Sequence, residues 1–335
     1  LLDFDIRWLW PSAQAEGALC SCPVTAEALT GALHALAQQG ISPFGVYVTS
    51  PDYLGGVQDI PALAAVCRAQ GVPLLVDNAH GAYLRFLPQN CHPIAQGAAM
   101  CCDSAHKTLP VVTGGAYLHL AHDAPVQDEA AVRGALALFG STSPSYLILQ
   151  SLDACNAVLA GEYPRRLVQC CVALEGLRRS LNKAAAARQC PVPLAVAGAQ
   201  QEPMKLTLDA AALGCTGTAL ADALRRAQLE CEYADPRYVV LMFTPENPPQ
   251  DYTRLQATLE QLLAAVPAGL PRPENRAGEF AALQQQAVQR CTIRQAVLGA
   301  QVRIPVHKAL GRVCAMPTVS CPPAIPVAVS GEEIT

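Results

Sequence analysis

Lys107 sits in Asp103-Ser-Ala-His-Lys-Thr-Leu-Pro110, directly after a histidine and just past the apolar run Ala98 to Cys102. Upstream, Asp77 closes the apolar part of Leu74-Leu-Val-Asp-Asn-Ala-His-Gly81. Both segments read as buried strands that end in a polar cluster. The first supplies an amine that can add to a carbonyl, and the second supplies a carboxylate that can keep a ring nitrogen protonated. Together they meet the two main requirements of a pyridoxal phosphate (PLP) enzyme.

A lysine in a polar pocket at a strand end loses its proton more readily than a surface lysine, which suits Lys107 to a Schiff base. An acid beside a pyridinium stabilises the charged ring, which suits Asp77. Ser104 and His106 flank the lysine as candidate phosphate binders, Ala79 is small enough to lie flat against a ring, and His80 is a candidate partner of Asp77 or of the ring oxygen. Taken singly, each has a plainer explanation. A lone lysine after a strand is usually a solvated loop residue, and a lone Asp at a strand end is usually a helix cap. The combination carries the inference. Competing motifs are absent: there is no G-x-G-x-x-G after a strand, no Walker A sequence, no G-x-S-x-G elbow and no H-E-x-x-H. His119 and His122 show no local carboxylate-histidine pattern and are expected at the surface or an edge.

The elements that must position these residues alternate. Asp5 to Trp10 looks like a strand. Thr25 caps a helix that runs to Gln39, with Leu29, Leu33 and Leu36 on one face. Gly45 to Thr49 is a strand, Ser50 to Gly56 is a loop of turn residues, and Asp59 caps a second helix. Val72 to Val76 is a nearly continuous apolar strand of the kind covered on both faces. Ala98 to Cys102 and Ala116 to Leu120 continue the sheet. This order predicts an α/β fold with a mainly parallel sheet, in which ligands sit at the carboxyl ends of the strands. Thr49-Ser50, Asp77 and Ser104 to Lys107 all fall at such ends. Helices are predicted over Val126 to Leu138, Tyr146 to Leu159 and Arg165 to Ala187, the last long enough to bridge two domains. A second, smaller α/β unit follows: strands at Met204 to Leu208 and Tyr238 to Phe243, and helices at Thr218 to Gln228 and Asp251 to Ala265. Gly269 to Asn275 is a proline-rich linker, and a last helix starts near Glu279. The expected division is a large domain over 1–190 and a small C-terminal domain over 191–335.

The 335 residues and net charge of −4 describe a globular chain with no pull toward nucleic acid or an anionic membrane. No apolar run approaches the roughly 20 residues of a membrane span, and no secretory signal is seen. The 15 cysteines are scattered, with no Cys-x-x-Cys, so no metal site is expected from spacing. They read as reduced core thiols of a cytoplasmic protein.

Three segments together resemble the Orn/Lys/Arg decarboxylases: Ser50-Pro-Asp-Tyr-Leu-Gly55, Val76-Asp-Asn-Ala-His-Gly81 and Ser104-Ala-His-Lys-Thr-Leu109. Ser141-Thr-Ser-Pro-Ser-Tyr146, Ser151-Leu-Asp153, Lys205-Leu-Thr-Leu208, Ala309-Leu-Gly-Arg-Val-Cys314 and Cys321-Pro-Pro323 extend the likeness along nearly the whole chain. The resemblance implies a PLP-dependent, aspartate aminotransferase-like fold, with Lys107 carrying the cofactor and Asp77 pairing with the pyridine nitrogen. Ser104 and His106 would lie at the phosphate and the substrate side of the ring. Thr142 and Ser143 would reach a neighbouring subunit's phosphate in a homodimer or larger homo-oligomer. Two departures stand out. Family members carry a further segment before this chain begins, with a Gly/Ser/Thr-rich phosphate loop and a ring-stacking histidine. Asn78 stands where Glu is common.

The expected reaction is decarboxylation of arginine, lysine or ornithine to the amine, a step of polyamine metabolism, with His106 or Lys107 reprotonating the α-carbon. The alternatives are another PLP reaction such as transamination, with Arg237 as candidate for the substrate carboxylate, or a non-catalytic paralogue or fragment that only binds partner subunits.

Overall fold

Thr25 accepts from the Ala28 amide and starts α1 (Ala26–Gln38), which buries Leu29 and Leu33; Asp59 accepts from Ala62 and starts α2 (Ile60–Ala69), which buries Ile60, Leu63, Ala64 and Cys67. These helices flank a four-stranded sheet of β1 (Val46–Thr49), β2 (Leu74–Asp77), β3 (Met100–Asp103) and β4 (Tyr117–Leu120), ordered as numbered. The first three strands are parallel, and the register sets Thr49 beside Asp77 and Asp77 beside Cys102. β4 runs antiparallel to β3, with Cys101 opposite His119. The link between them is short and holds one helical turn, α3 (Ala105–Thr108), so the chain doubles back instead of crossing over. That single turn carries Lys107.

The computed structural model describes residues 4–11, 20–21, 23–198, 200–267, 269–271, 288–317 and 328–335. The chain forms two compact units, Val24–Pro273 and Leu1–Pro23 with Glu274–Thr335. The larger unit ends inside the proline-rich stretch expected to be a linker. The expected boundary at residue 190 falls just past the long helix Tyr163–Ala187, between two sheets that both belong to this unit. In the smaller unit, Asp5 to Trp10 forms no regular element, contrary to the strand expected there. Its helix α9 (Ile293–Leu298) opens with a capping box between Thr292 and Gln295. The helix expected near Glu279 lies outside the described residues.

Beyond β4 come α4 (Glu129–Phe139), α5 (Tyr146–Ala160) and α6 (Tyr163–Ala187). α6 buries Leu167, Leu174, Leu177, Leu181 and Ala185, a helical stripe that packs on the second sheet's side of the core. That sheet has the order β5-β7-β6, from β5 (Lys205–Asp209), β6 (Tyr233–Ala234) and β7 (Tyr238–Met242), and every pairing in it is antiparallel. The two-residue β6 was too short to show in the apolar pattern. α7 (Gly217–Arg226) and α8 (Pro249–Ala264) complete the unit. Among the described residues, no helix is long and apolar enough to cross a membrane.

The second sheet's leading edge grips the loop that follows β1. Lys205 is 3% exposed, and its Nζ donates to the carbonyls of Asp52 (2.9 Å) and Tyr53 (3.1 Å). Thr207 Oγ1 donates to Leu54 O at 2.6 Å, and the Glu202 amide donates to Gly55 O at 2.8 Å. Glu202 is itself buried, bonded by Tyr83 and by the Met204 amide. Burial lowers the Lys205 ammonium from its ordinary value while the Glu202, Asp52 and Glu232 carboxylates oppose that shift. An apolar replacement removes both Lys205 bonds, leaves the Asp52 carbonyl with the Gly55 amide at 3.1 Å, and takes from Glu202 its largest counter-charge. Lys205→Met is therefore expected to destabilise the fold by about 3 kcal/mol. Denaturant unfolding of the two proteins checks this, and a loss below about 1 kcal/mol would contradict the clasp.

Candidate active site

Parallel pairing of β2 with β3 brings the two strand ends together. Lys107 Nζ lies 3.3 Å from Nε2 of His80, which follows β2. His80 is 5% exposed. Burial, then the positive charges of Lys205 and Lys107, push its pKa down to about 2, so the ring is neutral at ordinary pH. The ring of Tyr53, from the clasped loop, stands edge-on to it at 5.0 Å, and the Tyr53 hydroxyl donates to Glu232 at 2.6 Å. His80 is a candidate partner of Asp77 or of the cofactor's ring oxygen; within the chain its ring meets the lysine.

Asp77 is half-buried at the end of β2. Oδ1 accepts from the Ala79 amide (3.0 Å) and Oδ2 from the hydroxyl of Tyr47 (3.0 Å). Burial and then the Asp77 charge raise the Tyr47 phenol, which stays a donor. Tyr47 was not foreseen, although its register beside Leu75 on neighbouring β1 points it to the Asp77 side of the sheet.

His106 Nδ1 lies 2.9 Å from Gly115 O. A carbonyl only accepts, so Nδ1 carries the proton and, in the neutral ring, Nε2 presents a lone pair. Ser104 is half-buried at the cap of α3 and makes no capping bond with its side chain. Ala79 is half-buried between Asp77 and His80. Thr142 and Ser143 lie exposed in the loop between α4 and α5, where the Ser143 amide bonds Ser141. Within this chain they are not drawn into the Lys107 cluster. Arg237 donates twice to Asp209 Oδ2, at 3.1 and 2.8 Å, an engagement that competes with any substrate carboxylate.

A buried polar cluster lies beneath these strand ends. Asn78 is fully buried and its Nδ2 donates to Asp103 Oδ1 at 2.7 Å, so it ties β2 to β3. Asp103 Oδ2 is met by His92 Nε2 at 3.1 Å and His119 Nε2 at 3.0 Å. Burial by itself would raise the Asp103 carboxyl. Bonds from His119, His92 and Asn78 outweigh it and hold the group well below the usual carboxylate range. His119 thus has a carboxylate partner after all, on the strand beside its own. Sequence reasoning missed it because the pairing crosses from β4 to β3. His92, in the loop before β3, left no signal beyond its type. Gly81 has a steric reason: a Cβ there would fall 2.0 Å from Asn78 Oδ1.

The donor set suits a carbonyl-bearing, ring-nitrogen cofactor at two points, the amine of Lys107 and the carboxylate of Asp77. His80 Nδ1 is buried without a hydrogen-bond partner among the described residues, which leaves a donor or acceptor beside Lys107 for a bound group.

Residues 8–200 match the family model described as Orn/Lys/Arg decarboxylase, major domain. The chain is 29% identical over 301 residues to YaaO, an uncharacterised protein of Bacillus subtilis (strain 168), across 87% of this chain and 59% of that protein. It is 28% identical over 299 residues to an arginine decarboxylase of the same organism, with the same two shares. The chain therefore spans 59% of the length of these relatives. The solved structure of the Francisella novicida lysine decarboxylase superposes with a TM-score of 0.73 at 18% identity, over 98% of this chain and 57% of that one. At that identity the likeness speaks to fold alone.

The neutral His80 has a consequence for stability. Its folded pKa is about 2, against about 6.5 in an unfolded chain. As pH falls below about 6.5 the unfolded state gains a proton that the folded state refuses, so stability falls with pH. Between pH 7 and pH 5 this one group is expected to cost about 2 kcal/mol. His80→Gln should flatten that part of the profile; equal losses in both proteins by denaturant unfolding would refute the assignment.

Proposed function

The chain belongs to the Orn/Lys/Arg decarboxylase family, and from that membership we propose that it removes the α-carboxylate of a basic amino acid, with PLP as cofactor. The products are carbon dioxide and the amine of arginine, lysine or ornithine, which places the reaction in polyamine metabolism. The observation that carries this reading is the Lys107 amine, held beside a neutral His80 where β2 and β3 end together.

Bound PLP supplies the electron sink for the pair left on the α-carbon when carbon dioxide departs. The chain's own groups then divide the work. Lys107 would be the covalent anchor, and Asp77, aligned by Tyr47 and the Ala79 amide, would hold the ring nitrogen protonated. Ala79 leaves room for a flat ring. Ser104, whose side chain makes no capping bond, would bind the phosphate. His106, with its tautomer set by Gly115 O, or Lys107 itself, returns a proton to the α-carbon. The neutral His80 ring adds no charge of its own beside the Lys107 amine. Thr142 and Ser143 serve the phosphate of a neighbouring subunit in a homodimer or larger homo-oligomer. The exposed Leu136, Leu138, Phe139, Tyr146 and Leu147 around that loop support such a contact. The cytoplasm, a reducing compartment, suits the 13 free cysteines among the described residues. The pairing of Arg237 with Asp209 counts against the transaminase alternative.

The test is amine and carbon dioxide release from arginine, lysine and ornithine in parallel, with PLP added. Release from one of them is expected, and Lys107→Ala should reduce it by roughly a thousandfold or more. Substantial amine from that variant would sink the role of Lys107. Keto acid in place of amine would favour the transaminase. No turnover together with no PLP binding would favour a non-catalytic role.

A further inference from the structure

On the face of β3 opposite Cys102, the side chains of Cys101 and Asp103 meet His119 from β4 and His92 from the preceding loop. We propose that these four residues bind one divalent ion of the zinc class. The inference is independent of the reaction proposed above.

Ligand atoms of His92, Asp103 and His119 all lie within 4.8 Å of one another. The two Nε2–Oδ2 separations are 3.1 and 3.0 Å, and Cys101 Sγ lies 3.6 Å from His92 Nε2. A tetrahedral ion with bonds of about 2.0 Å to nitrogen and oxygen and about 2.3 Å to sulfur puts its ligand atoms about 3.3 Å apart for N–O and about 3.6 Å for N–S. These three edges come within a few tenths of an ångström of those values; Cys101 Sγ stands outside the mutually close set, 3.8 Å from Asp103 Oδ1, and would turn toward Oδ2 to complete the tetrahedron. Both imidazoles converge on one oxygen, Oδ2, and His92 Nε2 faces the thiol as well. Without an ion the thiol donates to Asp103 Oδ1 at 3.8 Å and the imidazoles to Oδ2; a shared ion would take the place of those protons.

The supporting groups are also arranged for this. Asn78 holds the other oxygen, Oδ1, at 2.7 Å, which orients Oδ2 toward the histidines. His92 and Asp103 side chains are 5% and 3% exposed, while His119 is 38% exposed and gives a route in from the edge strand. Two imidazoles, one carboxylate and one thiolate suit zinc or cobalt, and not calcium or magnesium, which take oxygen ligands. The carboxylate and the thiolate formed on binding balance the two charges of the ion. Cys101 and Asp103 stand six and four positions before Lys107, so the ion would brace the strand end from which Lys107 projects. The spacing test on the cysteines missed this set because its members come from two strands and a loop, not from a paired motif.

The rival is a hydrogen-bonded cluster around Asp103 with no ion. The chain, stripped with a chelator and kept reduced, is titrated with Co²⁺ alone and separately with Zn²⁺. Expected are about one equivalent of metal per chain, the visible bands of tetrahedral cobalt and a thiolate charge-transfer band in the near ultraviolet. Cys101→Ser should abolish the charge-transfer band, and His119→Ala should weaken binding at least about tenfold. His119→Cys, which restores a ligand, should recover it and guards against simple misfolding of the alanine variant. No tetrahedral spectrum, or a spectrum and stoichiometry unchanged in Cys101→Ser or His119→Ala, overturns the proposal.

Discussion

β2 and β3 run parallel and end level, and the candidate site depends on that pairing. Asp77 and Lys107 lie far apart along the chain, yet the register puts Asp77 beside Cys102, five positions before the lysine. In a parallel sheet, the residues that leave the carboxyl ends of neighbouring strands share one edge. The short return to β4 then confines the chain after β3 to a single helical turn, so Lys107 cannot wander from that edge.

Polar groups buried under the edge make the pairing specific. Asn78 and Asp103 are the first residue after β2 and the last of β3, and their side chains bond each other at 2.7 Å in a setting with almost no solvent. A buried carboxylate is costly unless its oxygens are satisfied. Here Asn78, His92 and His119 satisfy them. A slip of one residue in either strand would turn these side chains to the opposite face and leave Asp103 buried without partners. Register is thus enforced electrostatically as well as by apolar packing.

A second constraint comes from the other sheet. Lys205, Thr207 and the Glu202 amide hold the loop after β1 by its carbonyls, which places the Tyr53 ring against His80 and so beside Lys107. The two sheets thereby act on one site from two sides. The boundary expected near residue 190 separates the sheets, but this clasp and the shared core join them within one unit.

The sequence by itself determined the local elements and the chemistry at strand ends. Thr25 and Asp59 cap where expected, the apolar runs became β1, β2 and β3, and the family likeness carried by Asp77, His80 and Lys107 agrees with the family match. Periodicity and capping act over a few residues, so they are written locally. Only the tertiary structure decided the partners. Tyr47 on Asp77, His80 on Lys107, His92 and His119 on Asp103, and Lys205 on the Asp52 carbonyl each join residues from different elements. Nothing in a linear pattern specifies which strand lies next to which, or on which face a distant histidine arrives. The two-residue β6 and the absent strand at Asp5 to Trp10 follow the same logic, since a strand exists only where another strand completes its hydrogen bonds.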